Sequence, residues 1–427
     1  MGATLFAAAL IFHVAIADLD KPVAEVDATL PAGVSRLCLD RDGAGDHVTG
    51  LPRAKDDTDC FLPEGRQVHY RVDLTGMGRG HGDMDSVSRL GKGGFIASDK
   101  VFLLAPPKLP EETAVEVRFT LPEGAEVGAP WTRLPAATGD KGLRFSTTLG
   151  QRRTGSYVAI GRLKALRDVP VEGGVFRPVI FDGPRRATDD DLRGWLREAG
   201  AEVARFYRGL PAPVVNVVLV PLTESSRSGI FGSVLREHWP SVAMLVGGGA
   251  DPKSFHGEWM AFHELFHLGN PRLQGRIPWL TEGVATYYQD VLRARAGVKT
   301  GAEMLADLAD GWERFCAPEG QGTFLERIKQ RMREHDYMDF YWGGACFAHR
   351  LDLAVRQQSG GKKSLDDVLR ALRAATAAER FDEEELIDFL DEQSGGAAKK
   401  LLGATGSLKP ADDDATRAAS RAIVAGH

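Results

Sequence analysis

Residues Ala261–Pro271 read AFHELFHLGNP, and the whole reading turns on them. His263 and His267 stand four positions apart, and Glu264 directly follows the first. At 3.6 residues per turn, this spacing places both imidazoles on one helix face, a turn apart. Two nitrogens so placed can share one tetrahedral zinc ion. Glu264 is turned by about 100° from His263, so it can face a water molecule without binding the metal. Phe262, Leu265, Phe266 and Leu268 cover the other faces and predict a buried helix. Asp251-Pro252 or Ser254 offers a start for it, and Gly269-Asn270-Pro271 a stop.

A lone pattern of this length arises by chance in about 1% of chains of this size. Two histidines also leave the site incomplete, so a third ligand is the test. It comes from PWLTEGVATYYQDVLRARAG, Pro278–Gly297. Pro278 suits a first helical position, and Leu280, Val284, Tyr287, Tyr288 and Val291 keep helical spacing. Glu282 falls near the first turn, 15 residues after His267, which leaves room for one loop and an antiparallel return. The bland reading makes Glu282 a surface acid at a helix N-terminus. Its neighbours Trp279, Leu280 and Val284 turn it inward instead, as the third ligand of a His₂Glu site with an open fourth position.

At this point the chain resembles the glycyl aminopeptidase family, zinc peptidases of the gluzincin class related to the alanyl aminopeptidases. The likeness rests on HELFH, on W-x-x-E-G, and on Y-Y-x-D-x-L-x-x-R-A-G. Trp279, Glu282, Gly283, Tyr287, Tyr288, Asp290, Leu292, Arg295, Ala296 and Gly297 meet that pattern. Where the family usually has Thr, three residues after the glutamate, this chain has Ala285, with Thr286 next. A second block, FYWGGACFAHRLDLAVRQQSGGKKSLDDVLR (Phe340–Arg370), matches at Tyr341, Gly344, Ala345, Leu351, Asp352, Arg356 and Ser364–Val368. By resemblance, Tyr341 is the oxyanion donor; a core aromatic is its bland alternative, and Tyr287, Tyr288 and Tyr337 are the other candidates. Thr286 is the candidate for orienting an imidazole. The likeness covers roughly Asp182–Ala404.

The resemblance also exposes departures. The family often carries a PDZ domain after the catalytic part, and none is expected here. Its relatives hold the substrate amine with a glutamate in a glycine-rich edge-strand segment. The corresponding Ser228–Gly248 has Gly229 and Gly232, but only Glu237 could serve as that acid. Strict aminopeptidase specificity is therefore left open.

Outward from the motif, Asp18–Asp182 is rich in Gly, Pro and alternating apolar runs. Gln67–Leu74, Lys100–Pro106, Ala114–Pro122, Leu143–Leu149 and Ser156–Leu163 read as strands of a β-sandwich-like domain. GMGRGHGDMD (Gly76–Asp85) reads as a flexible loop, because no helical run follows its alternating glycines. Thr188–Leu210 reads as a helix, Val214–Leu222 as a buried strand and Ser241–Gly249 as a strand at a sheet edge. Helices dominate from Asp251 onward. The expected class is α+β and multidomain, with a thermolysin-like catalytic part of small sheet and mostly helix. The expected segments are 1–17, an export leader; 18–182, β-rich; 183–405, peptidase; and 406–427, a polar tail.

The formal net charge of -6 and the lack of a basic face argue against nucleic acid. An apolar run, Ala3–Ala17, ends in Ala15-Ile16-Ala17, which suits a signal peptidase and predicts export. No other segment reads as a membrane span. Cys38, Cys60, Cys316 and Cys346 fit no metal motif. Pairings Cys38–Cys60 and Cys316–Cys346, or buried free thiols, are both open.

The expectation is a zinc-dependent, aminopeptidase-like peptidase with one Zn²⁺ per chain and peptides or small proteins as substrates. His263, His267 and Glu282 hold the metal, Glu264 is the general base and Tyr341 the oxyanion donor. A zinc-bearing binding module and a non-peptide hydrolase are the alternatives.

Overall fold

The computed structural model describes residues 10–39, 43–80, 87–89, 93–136, 142–152, 155–236, 239–317, 319–409, 418 and 421–424. The chain divides into two compact units. The first holds residues 1–170, 174–189 and 212–252, and the second holds 171–173, 190–211 and 253–427. This division differs from a boundary at 182/183. Strands 174–181 and 214–222 pair in parallel within one sheet, which keeps 212–252 with the first unit.

The first unit is layered. A seven-stranded sheet runs in the order Thr132–Leu134, Leu143–Thr148, Ala114–Thr120, Leu10–Ala15, Val23–Thr29, Gln67–Asp73 and Val48–Thr49. Gln67–Asp73 alternates exposed and buried positions throughout, as a half-buried strand should. A four-stranded sheet includes Gly94–Ser98 and Tyr157–Gly161. Phe95, Ala97, Val158 and Ile160 share a core with Leu10, Phe12, Val14 and Val117 of the larger sheet. From the opposite face, Ile96, Tyr157 and Ala159 join Val179, Phe181, Val218 and Ala243 of a third sheet. Both strands are consequently buried at every position, which removes the period-two signal.

That third sheet places Val214–Leu222 and Ser241–Gly247 side by side in parallel. Gly229–Leu235 runs antiparallel on the outside. Ser241–Gly247 is thus an inner strand, which corrects the expectation of an edge there. The edge is Gly229–Leu235, where the resemblance puts the glycine-rich segment. Glu237 lies outside the described residues.

Other expectations change as well. Lys100–Pro106 is not a strand: Asp99–Val101 is a 3₁₀ turn in which the Ser98 hydroxyl accepts from the Lys100 N–H. The glycine loop begins inside a short helix, α1 (Leu74–Gly80), and residues 81–86 lie outside the described ones. A second short helix, α2, covers Leu149–Arg152. The leader assigned to residues 1–17 meets another use of its second half. Leu10–Ala15 pairs with both Val23–Thr29 and Ala114–Thr120, and Leu10, Phe12 and Val14 are fully buried. Cleavage after Ala17 would delete an inner strand of the sheet.

The second unit is helical. It contains α3 (Asp189–Tyr207), α4 (Trp259–Phe266), α5 (Pro278–Arg295), α6 (Gly301–Phe315), α7 (Phe324–Arg333), α8 (Tyr337–Ser359), α9 (Leu365–Ala375), α10 (Glu383–Gln393) and α11 (Ala397–Leu402). Thr300 and Thr323 close capping boxes on α6 and α7, each with a glutamate three residues on. Disulfides join Cys38 to Cys60 in the first unit and Cys316 to Cys346, between α6 and α8, in the second. Within the expected polar tail, Ile423 is fully buried and its carbonyl accepts from Arg295 Nε. Among the described residues, no helix is long and apolar enough to cross a membrane.

Candidate metal centre

Helix α4 begins at Trp259, later than either expected start. Pro252–Phe255 is a separate 3₁₀ turn, and the Glu258 carboxylate caps α4 by accepting from the Met260 N–H. Every residue from Met260 to Gly269 is buried. Phe266 anchors the back of the helix by stacking on Tyr288 of α5, with ring centroids 4.9 Å apart, while Phe206 of α3 meets it edge-on. His267 opens a 3₁₀ turn, so the helix tightens between the two histidines and Asn270.

Helix α5 returns from Pro278 and presents Glu282 to α4. Glu282 Oε2 lies 3.3 Å from His263 Nε2 and 3.1 Å from His267 Nε2. The three ligand atoms fall within 4.8 Å of one another. A tetrahedral zinc ion with bonds of about 2.0–2.2 Å holds its donors roughly 3.3–3.6 Å apart. Two imidazoles and a carboxylate at these separations fit that ion by donor chemistry and by size.

Outer contacts fix the rings. Gln289 Oε1 lies 3.0 Å from His263 Nδ1. A carbonyl oxygen only accepts, so the neutral ring carries its proton on Nδ1 and keeps the Nε2 lone pair toward Glu282. Asn270 Nδ2 lies 2.8 Å from His267 Nδ1 and holds that ring in place. The sequence reading missed both. Gln289 stands seven residues, two turns, after Glu282 and so shares its face. Asn270 was read only as part of a helix stop. Thr286, the candidate for this role, does not fill it: its buried hydroxyl has no hydrogen-bond partner among the described residues.

Electrostatics agree with a site built for a cation. Burial alone would raise the Glu282 carboxyl, but the His267 and His263 imidazoles hold it far below the usual range. Burial disfavours charge on His263, yet its bond to Glu282 and the neighbouring Glu264 carboxylate raise its pKa. These directions belong to the metal-free cluster, where shared protons stand in for a cation. Glu264 is buried beside the cluster, and loss of solvent pushes its pKa up.

Tyr341 reaches the same place from α8. Its ring stacks on His263, with centroids 6.1 Å apart and planes at 3°. Burial, then the Glu282 charge and a hydrogen bond to Glu282, raise the phenol pKa and keep it a donor. Glycines permit the approach: a Cβ on Gly283 would sit 2.4 Å from the Gly344 Cα, and one on Gly344 would sit 1.9 Å from the Trp279 carbonyl oxygen. Contact that close between α5 and α8 explains why Gly follows Glu282 and why Gly344 stands three residues after Tyr341.

The other tyrosines are committed elsewhere. The Tyr287 hydroxyl donates to Asp352, which also accepts from Arg356 Nε, and the Tyr288 hydroxyl donates to Asp366, which pairs with Arg295. Tyr337 is exposed. Asp352, Arg356, Asp366 and Arg295, which carried much of the motif match, therefore lock α5, α8 and α9 together.

The sequence family described as M61 glycyl aminopeptidase matches residues 264–330. That span includes Glu264, His267 and Glu282 and stops short of Tyr341. Among solved structures, an aminopeptidase N family protein from Idiomarina loihiensis is similar at TM-score 0.72 and 17% identity, over 93% of this chain and 76% of that one. The M1 zinc metallopeptidase of Deinococcus radiodurans is similar at TM-score 0.57 and 14% identity, over 95% of this chain and 94% of that one. No curated protein matches this chain. The solved structures show a shared fold, and the family match is confined to residues 264–330, around Glu264, His267 and Glu282.

Proposed function

We propose that the chain is a zinc-dependent peptidase that cleaves peptides or aminoacyl amides, with His263, His267 and Glu282 as the metal ligands. One observation carries this reading: two imidazole Nε2 atoms and a carboxylate converge, while Glu264 and Tyr341 border the same space. Bound zinc would supply a Lewis acid that polarises the scissile carbonyl and lowers the pKa of a water molecule. Glu264 takes the proton from the attacking water and passes it to the leaving amine. Its raised pKa suits a group that must hold a proton between those two steps. The Tyr341 hydroxyl donates to the carbonyl oxygen as negative charge grows there. Gln289 keeps the His263 imidazole in the ligand tautomer. An oxidising compartment suits the protein, and its support is the pair of disulfides.

The test is Glu264→Gln in the zinc-loaded protein. Turnover of a peptide library should fall by about 10²–10⁴-fold, with zinc still near one per chain. Parent-level turnover in that variant would remove Glu264 from the chemistry.

A further inference from the structure

We infer that Trp259 forms the wall of a subsite for the substrate side chain beside the scissile bond, so that the centre selects large apolar residues over glycine. This deepens the proposed peptidase reading and rests on it.

Large apolar side chains left in water are informative when they cluster at a site. Among the described residues of the second unit, those exposed are Trp259, Tyr337 and Met338. All three stand on the two helices that also carry His263 and Tyr341. Trp259 is 37% exposed, although every residue from Met260 to Gly269 behind it is buried. It precedes His263 by one turn of α4, and its ring meets that imidazole edge-on, centroids 5.9 Å apart and planes at 84°. Tyr341 stacks on the same imidazole. An indole and a phenol thus border one ligand ring, the indole partly open to solvent.

Tyr337 and Met338 are exposed on the helix that carries Tyr341. They precede Tyr341 by four and three residues, which puts them along its side of α8. Tyr337 packs on Phe340, and Phe340 on Tyr341, at centroid distances of 5.6 and 5.1 Å. None of these side chains offers a charge that would recognise an acidic or basic residue. An aromatic or branched aliphatic side chain, once desolvated against Trp259, fits what they do offer. Apolar pockets discriminate by about ten- to two-hundredfold per methylene at best, so a preference of tenfold or more for phenylalanine over glycine is the expected scale.

The experiment compares the zinc-loaded full-length parent with Trp259→Ala and Trp259→Phe on glycyl, alanyl, leucyl and phenylalanyl p-nitroanilides. The parent should favour phenylalanyl and leucyl substrates in kcat/KM. Trp259→Ala should lower the phenylalanyl-to-glycyl ratio by tenfold or more, Trp259→Phe should restore most of it, and zinc content should stay at the parent level. A parent that favours glycine, or an unchanged ratio in Trp259→Ala, overturns the inference. Calorimetric titration with phenylalanine and glycine hydroxamates separates it from the underlying reading. If the parent turns over nothing, the peptidase reading fails. A phenylalanine preference in binding that Trp259→Ala abolishes would still uphold the subsite, and its absence would sink both.

Discussion

The four-stranded sheet of the first unit and helix α5 of the second are both enclosed by protein, yet they are filled in opposite ways. Phe95, Ile96, Ala97, Tyr157, Val158, Ala159 and Ile160 make the sheet interior almost wholly apolar, and all seven are fully buried. Ladder pairing satisfies the backbone there, so apolar surface is all the side chains need to supply. Helix α5 carries Glu282, Tyr287, Tyr288, Gln289, Asp290 and Arg295 into its surroundings, and each has a named partner. Buried polar groups that are fully paired hold geometry more strictly than apolar packing does. Apolar filling sets how stable a layer is; polar filling sets where particular atoms sit.

Truncation should break the two regions differently. Phe95→Ala should cost the first unit about 3–5 kcal/mol, because the ring is removed from a layer covered on both faces. Urea unfolding would measure it. The folded variant should bind zinc as the parent does, and a matching loss of metal affinity would deny the separation of roles. Gln289→Leu should act in the opposite sense. It should leave the unfolding midpoint of the metal-free protein near the parent value and weaken zinc binding by about 10–100-fold. Gln289→Glu, which restores an acceptor for His263 Nδ1, should recover most of that. A chelator competition titration reads both, and parent affinity in Gln289→Leu would show that the 3.0 Å contact orients nothing.

The same contrast explains what the sequence could tell. A metal cluster needs particular atoms at particular spacings, so His263 and His267 were legible from helical period, and Glu282 from its distance along the chain and its apolar neighbours. Tyr341 lies 59 residues beyond Glu282, where spacing has no hold, and only the resemblance pointed to it. Gln289 was legible in principle, since it shares a face with Glu282, but a glutamine on a helix carries no chemical signature of its own. Half-buried strands such as Gln67–Asp73 announced themselves by alternation. Leu10–Ala15 did not: Ile11 and Ala15, on its less buried side, are apolar too, so an inner strand looked like the core of a leader. The edge strand Gly229–Leu235 was masked by its glycines and serine. Neither disulfide could be decided from spacing, because pairing depends on which elements the fold brings together.

Like Thr286 on α5, a residue of α8 is buried with its polar atoms unpaired among the described residues, and it gives the finest test of this contrast. His349 of α8 is fully buried, packed 4.4 Å from the Trp312 ring centroid and 5.7 Å from that of Tyr287. Neither of its ring nitrogens has a hydrogen-bond partner among the described residues. Burial, with a smaller contribution from Arg350, pushes its pKa down to about 3, well under the ordinary 6.5. For a base lowered on folding the sign is fixed. Both states are neutral at pH 7, the unfolded chain takes up a proton as pH falls through 6.5, and the folded chain does not until about 3. Stability is lost across that window, on the order of 2 kcal/mol between pH 7 and pH 5. His349→Leu removes the titrating group, so the metal-free variant should lose less stability than the metal-free parent over the same interval. Urea midpoints at the two pH values measure the difference. Equal losses in the two proteins would mean that His349 is already protonated or partnered in the fold.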